Sequence, residues 1–89
     1  MDRAVFVYTT FPSLVEAEAA AKDYRWEGKL ERAGEVVAIF KTRASLADEV
    51  RQAVRDNHSR EVPAIAVIAL ESVDRDYFGW ILNSTKAGE

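Results

Sequence analysis

The side chains that could carry metal or nucleophile chemistry are few in this chain. Its 89 residues include one histidine, His58, and no cysteine. Without cysteine there are no disulfides, no thiolate catalysis and no cysteine-ligated zinc or iron–sulfur sites. Imidazole is a good ligand for copper, so His58 is the first candidate metal ligand. Glu61, three residues later, could add a carboxylate, although one imidazole per chain does not by itself make a tight transition-metal site.

His58 also has an ordinary structural interpretation, which we favour. It follows a helical pattern that Asp56 and Asn57 close. A histidine at the C-terminal end of a helix is stabilised by the helix dipole and can bond a free carbonyl oxygen. Glu61 is then a solvated loop charge.

An enzymatic function is not predicted. With one histidine and no cysteine, a nucleophile would have to be Ser or Thr, and no base is marked beside one. Residues 41–43 (KTR) end a strand pattern and could receive an anion at the start of the next helix. No glycine-rich loop accompanies them, so phosphate binding is weakly indicated. We predict a non-catalytic protein.

Composition bounds the class of protein and its partners. Nearly half of the residues (48%) are hydrophobic, which indicates a globular chain, and 89 residues predict one domain over 1–89. The net charge of −3 and the lack of a basic cluster predict no nucleic acid or anionic membrane partner. No apolar run approaches the ~20 residues of a membrane span. Residues from Met1 run directly into a strand pattern without a signal-peptide pattern, so we expect a cytoplasmic protein.

Four strands are predicted. Residues 24–30 alternate, with Tyr24, Trp26 and Leu30 on one face, as expected of a half-solvated strand. Residues 35–42 follow after a polar turn that contains Gly34, so the two segments form a hairpin. This second segment is apolar on both faces, as are residues 4–10 and 64–70, which is typical of strands buried on both sides.

Three helices are predicted between and after the strands. Ser13 and Glu16 have the spacing of a capping box for a helix that extends to about Lys22. Its buried stripe consists of Leu14, Val15 and alanines. The second helix is capped by Ser45 and has apolar residues at positions 46, 50, 53 and 54, an amphipathic face. The last helix has five apolar anchors, namely Tyr77, Phe78, Trp80, Ile81 and Leu82.

The order of elements predicts an α+β fold. It is a ferredoxin-like βαββαβ sandwich with an additional C-terminal helix and a spatial strand order of 4-1-3-2. The two crossover helices cover one face of this sheet, yet three strands are apolar on both faces. An exposed apolar sheet face of several hundred Å² is unusual on a soluble monomer, so we predict a homo-oligomer that packs sheet to sheet.

Several short segments resemble the CutA family of divalent-cation tolerance proteins. They occur in the family's order and cover most of the chain: residues 7–12 (VYTTFP), 24–29 (YRWEGK), 41–43 (KTR), His58 with 62–65 (VPAI), and 76–78 (DYF) with 80–81 (WI). The resemblance implies a cytoplasmic homotrimer of ferredoxin-like subunits that is associated with divalent metal tolerance. Between the first helix and the YRWEGK segment, this chain lacks a segment that members of the family usually have, because Lys22 runs directly into Asp23 and Tyr24.

The resemblance also implies a cation, Cu²⁺ or another divalent ion. Some bacterial relatives bind copper with a cysteine in the first strand and a His-His pair after the second helix. The matching positions here are Thr9, Asn57 and His58. Because a hydroxyl and a carboxamide are poor copper ligands, His58 is the one metal residue predicted.

Two alternatives stay open. One is a trimeric signalling module like the PII proteins, which binds a small ligand or a partner protein between subunits. No long exposed partner-binding loop is present in the sequence to favour it. The other is a structural trimer that has lost metal binding, which the missing Cys and second His favour.

Overall fold

The computed structural model describes residues 2–22, 26–32 and 35–85 as a four-stranded sheet with three α-helices. In chain order the elements are β1 (Ala4–Phe11), α1 (Leu14–Ala20), β2 (Trp26–Arg32), β3 (Glu35–Arg43), α2 (Ala47–Asp56), β4 (Ile65–Ala69) and α3 (Arg75–Ser84). A 3₁₀ turn, Ala44–Leu46, precedes α2. The strand order is β2-β3-β1-β4, which is the predicted order read from the opposite edge. The predicted ferredoxin-like α+β fold is therefore confirmed.

The central pair of the sheet is β1 and β3. It is antiparallel and runs without a break from Ala4 opposite Arg43 to Phe11 opposite Val36. β4 flanks β1, and β2 flanks β3 from Trp26 opposite Phe40 onwards. The backbone pairing of β2 with β3 confirms the predicted hairpin, while the predicted side-chain alternation over residues 24–30 and the turn with Gly34 lie outside what the structure describes.

The core lies between the front face of the sheet and the helices α1 and α2. Fully buried side chains of the two central strands, such as Val7, Phe11 and Phe40, meet Val50 and Val54 of α2. Burying a side chain of this size stabilises the fold by about 1.5–3 kcal/mol relative to leaving it in water. The predicted amphipathic face of α2 is confirmed, because Val50 and Val54 are spaced to lie on one side of the helix.

Half of the predicted capping box is present at the start of α1. Ser13 caps the helix, and its Oγ accepts from the Glu16 backbone N–H at 3.3 Å. The Glu16 carboxylate, however, does not return to Ser13. It accepts from the Ser59 N–H at 2.9 Å and from the Ser59 hydroxyl at 3.1 Å. The Glu16 carboxylate thus binds the two donors of Ser59 in place of the single Ser13 N–H of the predicted capping box.

The predicted buried stripe of α1 is correct for its alanines and wrong for Leu14 and Val15. Leu14 and Val15 are 53% and 78% exposed, and the helix packs on the sheet through Ala17 and Ala20. Small side chains allow a seven-residue helix to lie close to the strands, whereas the two larger apolar residues sit in its first turn and point away.

The predicted cap of α2 was also wrong. The residue at the cap position is Leu46, and no side chain caps the helix. Ser45 lies in the preceding 3₁₀ turn, where its N–H and hydroxyl both donate to the Asp2 carboxylate, at 3.1 Å and 2.6 Å. The Asp2 carboxylate thus holds Ser45 in the 3₁₀ turn through two donated hydrogen bonds, and α2 begins after it at Ala47.

The helix α3 packs on the back face of the sheet, the face opposite α1 and α2. Lys41 and Arg43 alternate with buried Phe40 and Thr42, so their side chains point to this back face, and both contact α3. Of the five predicted anchors, only Ile81 is fully buried, and Trp80 is 44% exposed. The prediction is therefore correct for the helix face that packs on the sheet, but fewer than five of its residues are fully buried.

The part of the back face that β1, β3 and β4 form beyond α3 is apolar and incompletely covered in one chain. Phe6, Tyr8 and Ile39 are half-buried, and Ile68 of the edge strand β4 is 45% exposed. The register places Tyr8 beside Ile39 and Phe6 beside Ile68. The two-sided apolar character predicted for β1 and β3 is thus confirmed. No helix in the described part of the chain is long and apolar enough to span a membrane.

Candidate functional site

The end of α2 sets the position of His58, the predicted metal residue. The helix ends at Asp56, and the Asn57 backbone N–H still donates to Ala53 O at 3.2 Å. The Asn57 side chain donates to the same carbonyl at 2.8 Å, and the His58 N–H donates to Arg55 O at 3.2 Å. These bonds satisfy carbonyls of the last turn and fix the direction in which the chain leaves the helix.

Both ring nitrogens of His58 are hydrogen-bonded. Nδ1 accepts from the Arg60 backbone N–H at 3.2 Å, and Nε2 lies 2.5 Å from Thr10 O. A nitrogen that accepts from an N–H carries no proton, so in the neutral ring the proton is on Nε2, which donates to the carbonyl. The β1–β4 ladder ends at the pair Thr9–Ile65, one residue before this carbonyl. His58 therefore supplies the hydrogen-bond donor to Thr10 O on the β4 side, just beyond the last β1–β4 pair.

The ring of His58 also packs on Phe11. The two ring centroids are 4.7 Å apart and the ring planes are inclined by 19°, a stacked arrangement. Phe11 is fully buried in the core, and His58 is half-buried above it. Aromatic contacts of this kind add about 0.5–1.5 kcal/mol beyond the buried area.

The three positions to which the family resemblance assigns copper ligands do not form a donor set in one chain. Thr9 is fully buried on the core side, and its hydroxyl has no hydrogen-bond partner in the described residues. The amide nitrogen of Asn57 is used by its own helix, and both nitrogens of His58 are occupied. Among the described residues, no group of three or more His, Cys, Asp or Glu side chains is placed to hold a metal ion. These residues do not fit a copper ion as they are arranged; His58 as a metal ligand stays a prediction.

Glu61, the second predicted donor, is exposed in the loop after His58. This position agrees with its interpretation as a solvated charge.

The predicted anion-binding segment, residues 41–43, is used within the fold. Thr42 is buried toward the core, and its hydroxyl has no partner in the described residues. The Arg43 guanidinium donates to the Leu82 carbonyl, to Thr85 Oγ1 at 3.4 Å and to the Asp2 carboxylate at 3.4 Å. It thereby joins the N-terminal segment to the end of α3, and its donors are directed at protein acceptors.

This polar cluster changes the acidity of Asp2. The hydrogen bond from the Ser45 hydroxyl is the largest effect on the pKa of Asp2 and lowers it. Burial, the next largest effect, opposes this shift, and the backbone N–H groups of Ser45 and Arg3 and the charge of Arg43 each lower the pKa further. The cluster was not predicted. The signal that could have found it is the strand register, because Ala4 opposite Arg43 brings Asp2 beside residues more than forty positions away.

An aromatic cluster on α3 was also missed as a unit. The rings of Tyr77 and Trp80 stack at a centroid distance of 5.9 Å, and Lys41 Nζ lies 5.5 Å and 5.8 Å from their centroids. Cation–π contacts at such distances stabilise by about 0.5–1 kcal/mol at exposed sites. The spacing of three residues on a helix is the signal that places the two rings together.

Comparison with known proteins gives one consistent family. Residues 19–84 match the family model described as CutA1 divalent ion tolerance protein. The divalent-cation tolerance protein CutA of Pyrococcus horikoshii is 36% identical over 100 residues, covering 92% of this chain and 98% of that protein. The alignment is longer than the whole of this chain, so the relative has residues without a counterpart here, as the predicted shortening requires.

Solved structures agree with this match. The crystal structure of CutA1 from P. horikoshii superposes with a TM-score of 0.73, covering 92% of this chain and 98% of that one. The structure named as the periplasmic divalent cation tolerance protein CutA from Archaeoglobus fulgidus has a TM-score of 0.74 at 34% identity, covering 91% of this chain and 97% of that one.

Proposed function

The chain belongs to the CutA1 family of divalent ion tolerance proteins, and from that premise we propose that it serves in divalent-cation tolerance as a non-catalytic homotrimer. The observation that supports an assembly of copies is the apolar back face of the sheet, and the number three is what the resemblance to the CutA family implies. A protein that exposes a contiguous apolar face of this kind generally uses it as an interface.

The contact that we propose is made by the strands β1, β3 and β4. Phe6, Tyr8, Val37 and Ile39 form a half-buried apolar surface, and Ile68 extends it to the edge of the sheet. The helix α3 covers only the end of this surface that carries Lys41 and Arg43. Sheet-to-sheet packing between copies of the chain would remove the remainder from water, at a gain of roughly 25 cal/mol per Å² of apolar area.

Light scattering on the purified protein tests the trimer. We expect three times the mass of one chain at micromolar concentration, and a mass of one chain for Ile68→Glu, because a carboxylate in an apolar contact is costly to desolvate. Val62→Glu is the matched control, since Val62 is 88% exposed in the loop before β4 and outside the sheet. A compact wild-type monomer contradicts the proposal, and so does an unchanged mass for Ile68→Glu.

The cation is proposed as Cu²⁺ or another divalent ion. Its support is the divalent-cation tolerance that the names of the relatives state. Calorimetric titration of the assembled protein with Cu²⁺, Zn²⁺ and ATP tests it: we expect heat from a divalent cation and none from ATP. Binding of ATP without a cation would instead favour the PII-like signalling module.

A second candidate function is a structural trimer without metal binding. The observation that favours it is the set of matched positions, Thr9, Asn57 and His58, which offers no open donor set in one chain. In the same titration, no heat from any of the three ligands would favour this candidate.

The cytoplasm is the proposed compartment. Its support is the sequence pattern alone, and the A. fulgidus relative is named periplasmic. Cell fractionation with the native gene product would decide between the two, and recovery in the periplasmic fraction would overturn the proposal.

A further inference from the structure

We infer that His58 is a structural latch that fastens the loop after α2 to the end of β1, and that divalent cations bound by this protein do not use its ring. The inference comes from the bonds that the ring makes within one chain and does not depend on the trimer. It differs from the metal-ligand role that the family resemblance predicts for His58.

The hydrogen bonds of the His58 ring are both made by a single tautomer. The Arg60 N–H donates to Nδ1, and Nε2–H donates to the carbonyl of Thr10. Each nitrogen thus has the hydrogen-bonding role that the neighbouring backbone requires, and one neutral form of the ring satisfies both bonds.

A metal bond to the His58 ring would be costly. A metal binds the lone pair of an imidazole nitrogen. At Nδ1 it would replace the Arg60 N–H, which would lose its acceptor. At Nε2 the proton would have to leave, and the lone pair would face the lone pairs of the Thr10 carbonyl. Either mode removes a hydrogen bond that holds the loop. A ring that turned away to bind a metal elsewhere would also lose its stack on Phe11.

The loop after α2 is also held to α1, through Ser59. Ser59 donates from its N–H and its hydroxyl to the two oxygens of the Glu16 carboxylate. The residues on both sides of Ser59, His58 and Arg60, take part in the ring bonds. The loop is therefore tied to α1 and to β1 at adjacent positions, which is the arrangement of a structural joint.

The variants His58→Gln and His58→Ala separate the latch from a ligand. A glutamine amide N–H₂ can reach the Thr10 carbonyl but is a poor copper ligand, whereas alanine removes both bonds and the ring stack. We expect Cu²⁺ titration of the purified protein to give the same affinity, or the same lack of binding, for wild type and His58→Gln. We expect the melting temperature of His58→Ala to fall by about 4–8 °C or more, with a smaller fall for His58→Gln.

Nitrogen-15 NMR of the imidazole ring gives an independent measurement on the wild-type protein. We expect the pattern of a ring whose Nε2 carries the proton and whose Nδ1 accepts a hydrogen bond, unchanged by one equivalent of Zn²⁺. A metal-induced shift of the His58 ring nitrogens overturns the inference. So does a loss of Cu²⁺ affinity of about tenfold or more in His58→Gln when its melting temperature stays near that of wild type.

Discussion

Asp2 shows how one residue near the start of the chain can hold a distant segment, residues 43–45, which in turn reaches the end of α3. Its carboxylate accepts from the N–H and hydroxyl of Ser45 and from the guanidinium of Arg43. Arg43 in turn reaches the Leu82 carbonyl and Thr85 at the end of α3. Because ionised Asp2 accepts all of these bonds, its negative charge is stabilised in the folded state, and its pKa is lowered from the ordinary value of 3.8.

The pH dependence of stability follows from the direction of this shift. A carboxyl group whose pKa is lower in the folded state stabilises the fold above its unfolded pKa, and this contribution is lost as the pH falls through the folded pKa. We expect Asp2→Asn to lower the free energy of unfolding at pH 7 by about 1 kcal/mol, and the difference from wild type to shrink progressively as the pH falls below 3.8.

Thermal unfolding monitored by circular dichroism between neutral and acidic pH measures this difference. Glu18→Gln is the control, because Glu18 is an exposed carboxylate on α1 and reports the general effect of removing one negative charge. A deficit of Asp2→Asn that is the same at acidic and neutral pH would show that the charge of Asp2 does not contribute.

The helix α1 illustrates, at the scale of an element, packing through alanine. It has seven residues, and Ala17 and Ala20 are its buried contacts with the sheet. Interiors are close-packed, so there is no room for a larger side chain at such a position without a shift of the helix. The exposed Leu14 and Val15 in its first turn contribute little to this contact.

The pair Ala17→Leu and Ala19→Leu tests this packing. Both changes add the same side chain to the same helix, but Ala17 is fully buried and Ala19 is exposed. We expect Ala17→Leu to cost about 1–3 kcal/mol through overpacking, and Ala19→Leu to change stability by less than about 0.5 kcal/mol. Urea unfolding measures both, and equal effects of the two substitutions would mean that α1 does not pack closely on the sheet.

The sequence pattern predicted some elements well because their apolar residues contrast with polar neighbours. The face of α2 and the strand order follow from such contrast and from the handedness of crossovers. In α1 the alanines were predicted correctly, but Leu14 and Val15 were wrongly added to the buried stripe, because alanine gives little contrast by which to place the face of so short a helix. The cap at Ser45 and the partner of His58 could not be predicted locally, because Asp2 and Thr10 approach them only after the strands pair.

At the scale of the whole molecule, the two faces of the sheet differ in how they are covered. The front face is closed by α1 and α2 within one chain, with Val7, Phe40 and Val50 completely buried. The back face is closed by α3 at one end only, and beyond that end the described side chains on it, Phe6, Tyr8, Val37, Ile39 and Ile68 of β1, β3 and β4, are apolar. A contact between copies through β1, β3 and β4 would therefore draw mainly on the hydrophobic effect, and among the described residues Lys41 and Arg43 are the charged groups at its α3 border.

This origin of the contact predicts its response to salt. At about 1 M salt the screening length is only about 3 Å, so exposed ion pairs contribute little, whereas apolar burial is not screened. We expect the dissociation constant of the assembled form to change by less than about threefold between 0.1 M and 1 M sodium chloride. Sulfate at the same ionic strength should strengthen the assembly, because it is excluded from protein surfaces. Sedimentation velocity over a dilution series measures both effects, and dissociation in 1 M sodium chloride would mean that charges rather than the apolar back face hold the copies together.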